Sequence, residues 1–152
     1  MSYSMSYAPT RAAESHARRI WYLDSSVALR ILLGHSPGAM DWFDRVTEEH
    51  DQVVSSALLG LEVARVLRRE SVDTELGRAF VESLTLLRVD DSLLREAADI
   101  RPHIKTLDAM HLASAQRIGA QFATIVTHDK RMAEVAAELG FAAFDPIRAV
   151  GS

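Results

Sequence analysis

Residues 20–26, with the sequence IWYLDSS, contain the pattern that decides the fold. The first four are aromatic or aliphatic residues, which are typical of a buried strand. Asp24, Ser25 and Ser26 follow directly, and these residue types often cap the N-terminus of a helix. The stretch therefore predicts a strand that passes at once into a helix.

The same alternation continues along the chain. Apolar runs predict strands at 20–23, 52–55, 87–89, 122–127 and 141–144. Helical periodicity and cap residues predict helices at 27–33, 37–49, 57–69, 74–86, 91–100, 107–118 and 129–139. Strands separated by helices need crossover connections, so we predict an α/β fold with a mostly parallel sheet covered on both faces.

Composition limits the class of protein. The chain has 152 residues, of which 48% are hydrophobic and 25% charged, and it has no cysteine. These values exclude a collagen-like or disulfide-stapled protein, and the longest apolar runs, about five residues, are far shorter than a membrane span. We expect one domain over residues 19–150, a disordered extension over 1–18, and a cytoplasmic location because cysteines and a signal sequence are lacking.

Four acidic residues have positions that packing explains poorly. Asp24 and Asp129 follow predicted strands, Glu62 lies inside an apolar helix, and Asp108 lies in the first turn of another helix. Parallel sheets bind ligands beyond the carboxyl ends of their strands, so these carboxylates are candidates to converge there. Because like charges repel, such a cluster needs a hard cation, and Mg²⁺ or Mn²⁺ suits oxygen ligands. Metal-assisted hydrolysis of a phosphodiester is the chemistry that this set favours.

Four sequence motifs resemble those of the PIN-domain nucleases, and most closely those of the VapC toxins of prokaryotic toxin–antitoxin modules. They are YLDSS at 22–26, SALLGLEVAR at 56–65, TLDAMHLASA at 106–115 and VTHDKRM at 126–132. The resemblance covers residues 19–150 and rests on the order and spacing of all four. The chain departs from the family in the length that precedes Asp24, and Met5 is a second plausible start.

The resemblance implies a three-layer α/β/α PIN domain that acts as a Mg²⁺- or Mn²⁺-dependent endoribonuclease. Asp24 and Asp108 would bind the metal directly, Asp129 directly or through water, and Glu62 would act through a metal-bound water. Ser26 and Thr127 match positions whose hydroxyls support the family's acids. The implied partners are RNA and a VapB-like antitoxin that blocks the site. The implied assembly is a homodimer, which becomes a heterotetramer or larger with the antitoxin.

Each acid also has a structural interpretation. Asp24 and Asp129 could cap the helices that follow them, and Asp108 could interact with its helix dipole. Glu62 could pair with Arg65 one turn later. For Asp90 and Asp91, which follow another strand, we prefer the capping interpretation.

Candidate RNA contacts are Arg65, Arg68, Arg69 and His111, although a solvated helix face and a core histidine are the ordinary alternatives. The formal net charge of −4 argues against a broad basic surface. Without the four candidate site acids, however, acidic and basic residues are equal in number, so the net charge does not exclude a nucleic-acid substrate.

Two other functions remain to be weighed. A catalytically silent PIN-like module that binds RNA or protein would have the same fold. A phosphotransfer domain also places Asp after its first strand. The haloacid-dehalogenase fold expects a second Asp two residues after the first, where this chain has Ser26. The receiver fold expects an acidic pair before the Asp, where this chain has Trp21 and Tyr22. The sequence therefore disfavours both.

Overall fold

A five-stranded sheet forms the centre of the structure, a computed structural model that describes residues 19–149. The strands are β1 (Ile20–Leu23), β2 (Gln52–Ser56), β3 (Thr85–Leu87), β4 (Ala123–Val126) and β5 (Ala142–Phe144). Their order is β3-β2-β1-β4-β5, and all neighbouring pairs are parallel. The predicted parallel sheet is therefore confirmed, while the prediction for residues 1–18 lies outside the described residues.

Helices cover both faces of this sheet. Those of the described range are α1 (Ser25–Leu32), α2 (Pro37–Glu48), α3 (Leu58–Arg69), α4 (Thr74–Glu82), α5 (Asp91–Ala98), α6 (Thr106–Ile118), α7 (Lys130–Glu138) and α8 (Pro146–Ala149). Helices α1 to α4 pack with one core, α6 and α7 pack with the other, and α5 packs on α6. The three-layer α/β/α architecture is confirmed. Between residues 19 and 149, every helix is too short or too polar to cross a membrane.

The two cores follow from the alternation of side chains along β1. Trp21 and Leu23 belong to the core beneath α1 to α4, whereas Tyr22 belongs to the core beneath α6 and α7. Trp42 of α2 is 1% exposed and packs edge-on against Trp21, with ring centroids 5.6 Å apart. Trp42 is thus a core residue, whereas Met40 of the same helix is exposed.

Several boundaries differ from the predictions, and the largest difference is at the end of α4. Helix α4 ends at Glu82 instead of continuing to residue 86, and the Ser83 hydroxyl donates a hydrogen bond to the Phe80 carbonyl at this end. Such local bonds compete with helix propagation, and the third strand accordingly begins at Thr85. Phe122 was predicted to begin a buried strand, but it is exposed and precedes β4.

Gly60 of α3 and Gly77 of α4 have different surroundings, so we expect substitution with alanine to change stability in opposite directions. A Cβ at Gly60 would lie 3.7 Å from Val81 Cγ1, which is an ordinary contact. We expect Gly60→Ala to raise the free energy of unfolding by about 0.5–1 kcal/mol, because glycine inside a helix is costly. A Cβ at Gly77 would lie 2.5 Å from Leu67 Cδ1 and 2.8 Å from Val63 Cγ1, so Gly77→Ala should lower stability. Urea unfolding of both variants tests the pair, and equal shifts in the same direction would contradict this packing.

Candidate functional site

The strand order defines where a site is expected. From β1 the chain proceeds to β2 and β3 on one side, and then returns to form β4 and β5 on the other side of β1. The direction of winding therefore changes between β1 and β4, and ligands bind at such a change in open α/β sheets. Asp24 follows β1 directly, and residues 127–129 follow β4. The sheet thus brings these two segments together at one edge.

Asp24 is held rigidly at this edge. It is 2% exposed, and its backbone N–H donates to the Val126 carbonyl at 2.9 Å. Its Oδ2 accepts hydrogen bonds from Ser26 Oγ at 2.8 Å and Thr127 Oγ1 at 2.7 Å. Its Oδ1 is buried and has no hydrogen-bond partner among the described residues. Although Asp24 occupies the N-cap position of α1, its side chain makes no capping bond, so the capping interpretation is wrong.

The two hydroxyls connect β1 to the segment after β4. Ser26 Oγ also accepts a hydrogen bond from the His128 backbone N–H at 2.9 Å, and Thr127 Oγ1 accepts one from the Asp129 N–H at 3.0 Å. Each hydroxyl therefore accepts a hydrogen bond from the backbone and donates one to Asp24 Oδ2. This arrangement fixes the orientation of one carboxylate oxygen and leaves the other unpaired.

Asp108 lies near enough to both Asp24 and Asp129 to interact with them electrostatically. Burial, together with the negative charges of Asp24 and Asp129, raises the pKa of Asp108 to about 6. Asp129 Oδ1 accepts a hydrogen bond from the Met132 N–H at 3.0 Å and so caps α7. The capping interpretation of Asp129 is therefore confirmed. Its Oδ2 makes no hydrogen bond within residues 19–149, so this second oxygen is available to a ligand.

Glu62 reaches the same region from α3 and contacts a buried histidine. Its Oε1 lies 2.7 Å from His111 Nε2, and His111 Nδ1 lies 2.9 Å from the Tyr22 hydroxyl. His111 and Tyr22 are both 0% exposed. This burial favours the core interpretation of His111 over a direct contact with RNA. The histidine is a core residue, and it is bonded to two side chains.

The comparisons with known proteins agree with this geometry. A family model described as PIN domain matches residues 21–138. This chain belongs to the PIN-domain family. It is 37% identical over 127 residues to ribonuclease VapC46 of Mycobacterium tuberculosis, a match that covers 82% of this chain and 96% of the relative. It is also 33% identical over 135 residues to ribonuclease VapC35 of the same species, with the same coverage of both chains. These relatives make it a VapC-like PIN domain.

Two solved structures have the same fold. VapBC2 from Rickettsia felis, bound to a DNA fragment from its promoter, gives a TM-score of 0.63 at 12% identity, over 83% of this chain and 98% of that one. DNA-bound VapBC from Salmonella typhimurium gives 0.63 at 19% identity, over 84% and 98%. At these identities the likeness concerns the fold alone.

The carboxylate oxygens of this PIN domain are suitable ligands for a divalent cation. The buried Asp24 Oδ1 lacks a partner, and an unpaired buried carboxylate oxygen is costly unless something binds it. The pKa of Asp108 is raised first by burial and then by the negative charges of Asp24 and Asp129, which a cation would offset. In the described range no three acidic, histidine or cysteine side chains are grouped closely enough to form a metal site by themselves. Mg²⁺ usually keeps several waters and needs only one or two carboxylates, so the donor set fits such an ion.

The predicted arginine contacts lie on an exposed helix surface. Arg65, Arg68 and Arg69 are all exposed on α3, and Arg69 pairs with Glu70 at 3.3 Å. Arg68 lines a groove of about 480 Å³ between α3 and α4. A role for these arginines in RNA binding stays a prediction.

The sequence interpretation overlooked the two lysines of the chain. Lys105 precedes Asp108 by three residues, and its positive charge offsets a small part of the rise in the pKa of that acid, which burial and the neighbouring acids cause. Lys130 directly follows Asp129, and both lysines are exposed. Their spacing from the acids was the signal that could have identified them.

The remaining polar residues of the strand ends form structural contacts. Asp90 Oδ1 accepts a hydrogen bond from the Leu93 N–H at 2.9 Å, so the capping interpretation is confirmed. Hydrogen bonds from Arg117 and from the cap lower the pKa of Asp90 below its usual value. His128 Nδ1 lies 2.8 Å from Asp145 Oδ2, beyond β5, a pair that the sequence did not indicate.

Proposed function

We propose that this PIN domain is a Mg²⁺- or Mn²⁺-dependent endoribonuclease and the toxin of a toxin–antitoxin module. The observation that carries the proposal is the Asp24 carboxylate, whose Oδ1 is buried and unpaired among the described residues. The charges of Asp24 and Asp129 both act on Asp108, which supports a shared site. The identity of 37% to a protein named as a ribonuclease supports the same activity.

The residues have distinct functions in this proposal. Asp24 and Asp108 would bind the cation directly and Asp129 directly or through water, and the Ser26 and Thr127 hydroxyls keep Asp24 oriented. When bound, the cation supplies charge neutralisation at the phosphate and lowers the pKa of water. Glu62 orients the attacking water. Attack on phosphorus forms one P–O bond and breaks the bond to the 3′ oxygen, so the products carry a 5′-phosphate and a 3′-hydroxyl.

The substrate and partners follow from the same site. A single-stranded or looped RNA fits best, because its unstacked bases and bent backbone can enter a narrow acidic groove. We further propose cytoplasmic action, a homodimer, and inhibition by a VapB-like antitoxin in a heterotetramer or larger complex. The solved structures of similar fold are described as VapBC complexes, which supports an antitoxin partner.

The alternative function is a catalytically silent PIN-like module. The retained acids at 24, 62, 108 and 129 disfavour it, since a binding surface for RNA gains nothing from four carboxylates. The two functions differ in their dependence on a divalent cation, because an RNA-binding module needs none.

Purified protein, freed of any antitoxin, should cleave total RNA with Mn²⁺ and should not cleave it with EDTA. The released ends should be substrates for 5′-phosphate-dependent exonuclease digestion. Cleavage that persists in EDTA would overturn the metal dependence. RNA binding without cleavage in Mn²⁺ would instead support the silent module. Mapping the cleavage sites in cellular RNA would then identify the target.

A further inference from the structure

The buried chain from Tyr22 through His111 to Glu62 has no assigned function. It connects three elements, because Tyr22 lies in β1, His111 lies on α6 and Glu62 lies on α3. Helices α3 and α6 pack on opposite faces of the sheet. The contact between Glu62 and His111 therefore spans the edge of the sheet at which the acids meet.

The hydrogen-bond partner of the His111 imidazole shows which ring nitrogen carries a proton. A carboxylate only accepts hydrogen bonds, so Nε2 of His111 carries the hydrogen that points to Glu62 Oε1. Burial alone would lower the pKa of His111, but the Glu62 hydrogen bond and the nearby negative charges outweigh burial and raise it. The Tyr22 hydroxyl, 2.9 Å from Nδ1, is the second side-chain partner of the ring.

The two oxygens of the Glu62 carboxylate differ in their hydrogen bonding. Its Oε1 is bound to His111, whereas Oε2 makes no hydrogen bond within the described range. The side chain is 17% exposed, while the histidine behind it is fully buried. The histidine thus restricts the rotation of the carboxylate from the protein side.

We propose that His111, supported by Tyr22, is a positioning residue that binds Oε1 of Glu62 and so presents Oε2 to the attacking water. This inference rests on the proposed nuclease function, to which it adds a residue that does not touch substrate. A purely structural histidine would affect stability only, whereas a positioning histidine acts through Glu62.

The chain offers variants that separate these two cases. His111→Gln places an amide donor near the position of Nε2, whereas His111→Leu removes both ring nitrogens. We expect His111→Leu to lower kcat about 10–100-fold with little change in KM, as is usual for loss of a group that orients a reacting residue. His111→Gln should restore most of kcat, and Tyr22→Phe should cause a smaller loss. The exposed His35→Gln serves as the matched control with unchanged kcat.

A double-mutant comparison tests whether the effect of His111 on kcat depends on Glu62. If His111 acts on Glu62, then Glu62→Gln combined with His111→Leu should be no slower than Glu62→Gln alone. Additive losses, or equal losses in His111→Gln and His111→Leu, would overturn the positioning role. The Mn²⁺ dissociation constant measured by calorimetry should stay within about twofold in His111→Leu, because the proposed metal ligands are other residues.

A measurement without turnover checks the geometry. In ¹⁵N spectra of the metal-free protein, His111 should show a protonated Nε2 whose shift changes in Glu62→Gln. An unprotonated Nε2 would contradict the hydrogen bond on which the inference depends. Absence of Mn²⁺-dependent cleavage by the wild type would overturn the nuclease function and this role together, whereas an active wild type with additive losses would overturn the role alone.

Discussion

Asp24→Asn is expected to abolish Mn²⁺-dependent RNA cleavage and to leave the protein folded. Asp24 supplies the buried Oδ1 that has no partner among the described residues, and an amide nitrogen at this position would repel a cation. Loss of groups that merely support a ligand costs about 10–100-fold, so loss of this ligand should weaken Mn²⁺ binding by more than about 100-fold. Calorimetric titration with Mn²⁺ and a cleavage assay measure the two effects.

The fold should survive this change for a local reason. The amide oxygen of Asn can still accept the hydroxyl hydrogens of Ser26 and Thr127, which now bind Oδ2. Removing a buried negative charge should leave the thermal midpoint of the metal-free protein unchanged or higher. The exposed Asp44→Asn is the matched control and should cleave RNA at the wild-type rate. Wild-type cleavage by Asp24→Asn would remove this residue from the proposed site.

The sheet and its acidic edge were predictable because the signals are local. Each strand is a short apolar run next to a helix, and crossover connections between parallel strands leave few possible arrangements. The position of Asp24 directly after β1 follows from that pattern without any long-range information. The third strand was misplaced because the Ser83 hydroxyl bonds to the preceding turn where α4 ends, and periodicity does not report such a bond.

The capping alternatives show what a sequence cannot decide. Asp24 and Asp129 both stand at helix N-termini, and the residue types predict the same contact for each. In the structure, Asp129 caps its helix, whereas Asp24 binds two hydroxyls instead. The difference arises because Thr127, 103 residues away along the chain, lies beside Asp24 only after the sheet has formed.

The environment of Glu62 depended on long-range contacts in the same way. Arg65 was the partner that helical spacing suggested, but the observed partner is His111, 49 residues away. Tyr22 is 89 residues from His111. A lone histidine within an apolar helix gives no indication of such partners, so its burial and bonding required the folded structure.

Asp108→Asn should make the metal-free protein more stable at neutral pH and leave its stability unchanged at acidic pH. The pKa of Asp108 is about 6 in the folded protein and 3.8 as its ordinary value. The unfolded chain therefore loses this proton first, and Asp108 lowers the free energy of unfolding progressively as the pH rises from about 4 to about 6. Above this range the cost should be about 1–2 kcal/mol, reduced from the full value of the shift because the side chain is partly exposed and screened by solvent.

Urea unfolding in EDTA at a series of pH values tests this difference. The variant should exceed the wild type in stability at pH 7, and the two should converge near pH 4 because protonated Asp108 and Asn are both neutral. With Mn²⁺ at pH 7 the order should reverse, since a ligand stabilises only the protein that binds it. The variant should also lack cleavage activity. A stability difference that is independent of pH would show that Asp108 does not lie near Asp24 and Asp129, and the cation site would then lose its third carboxylate.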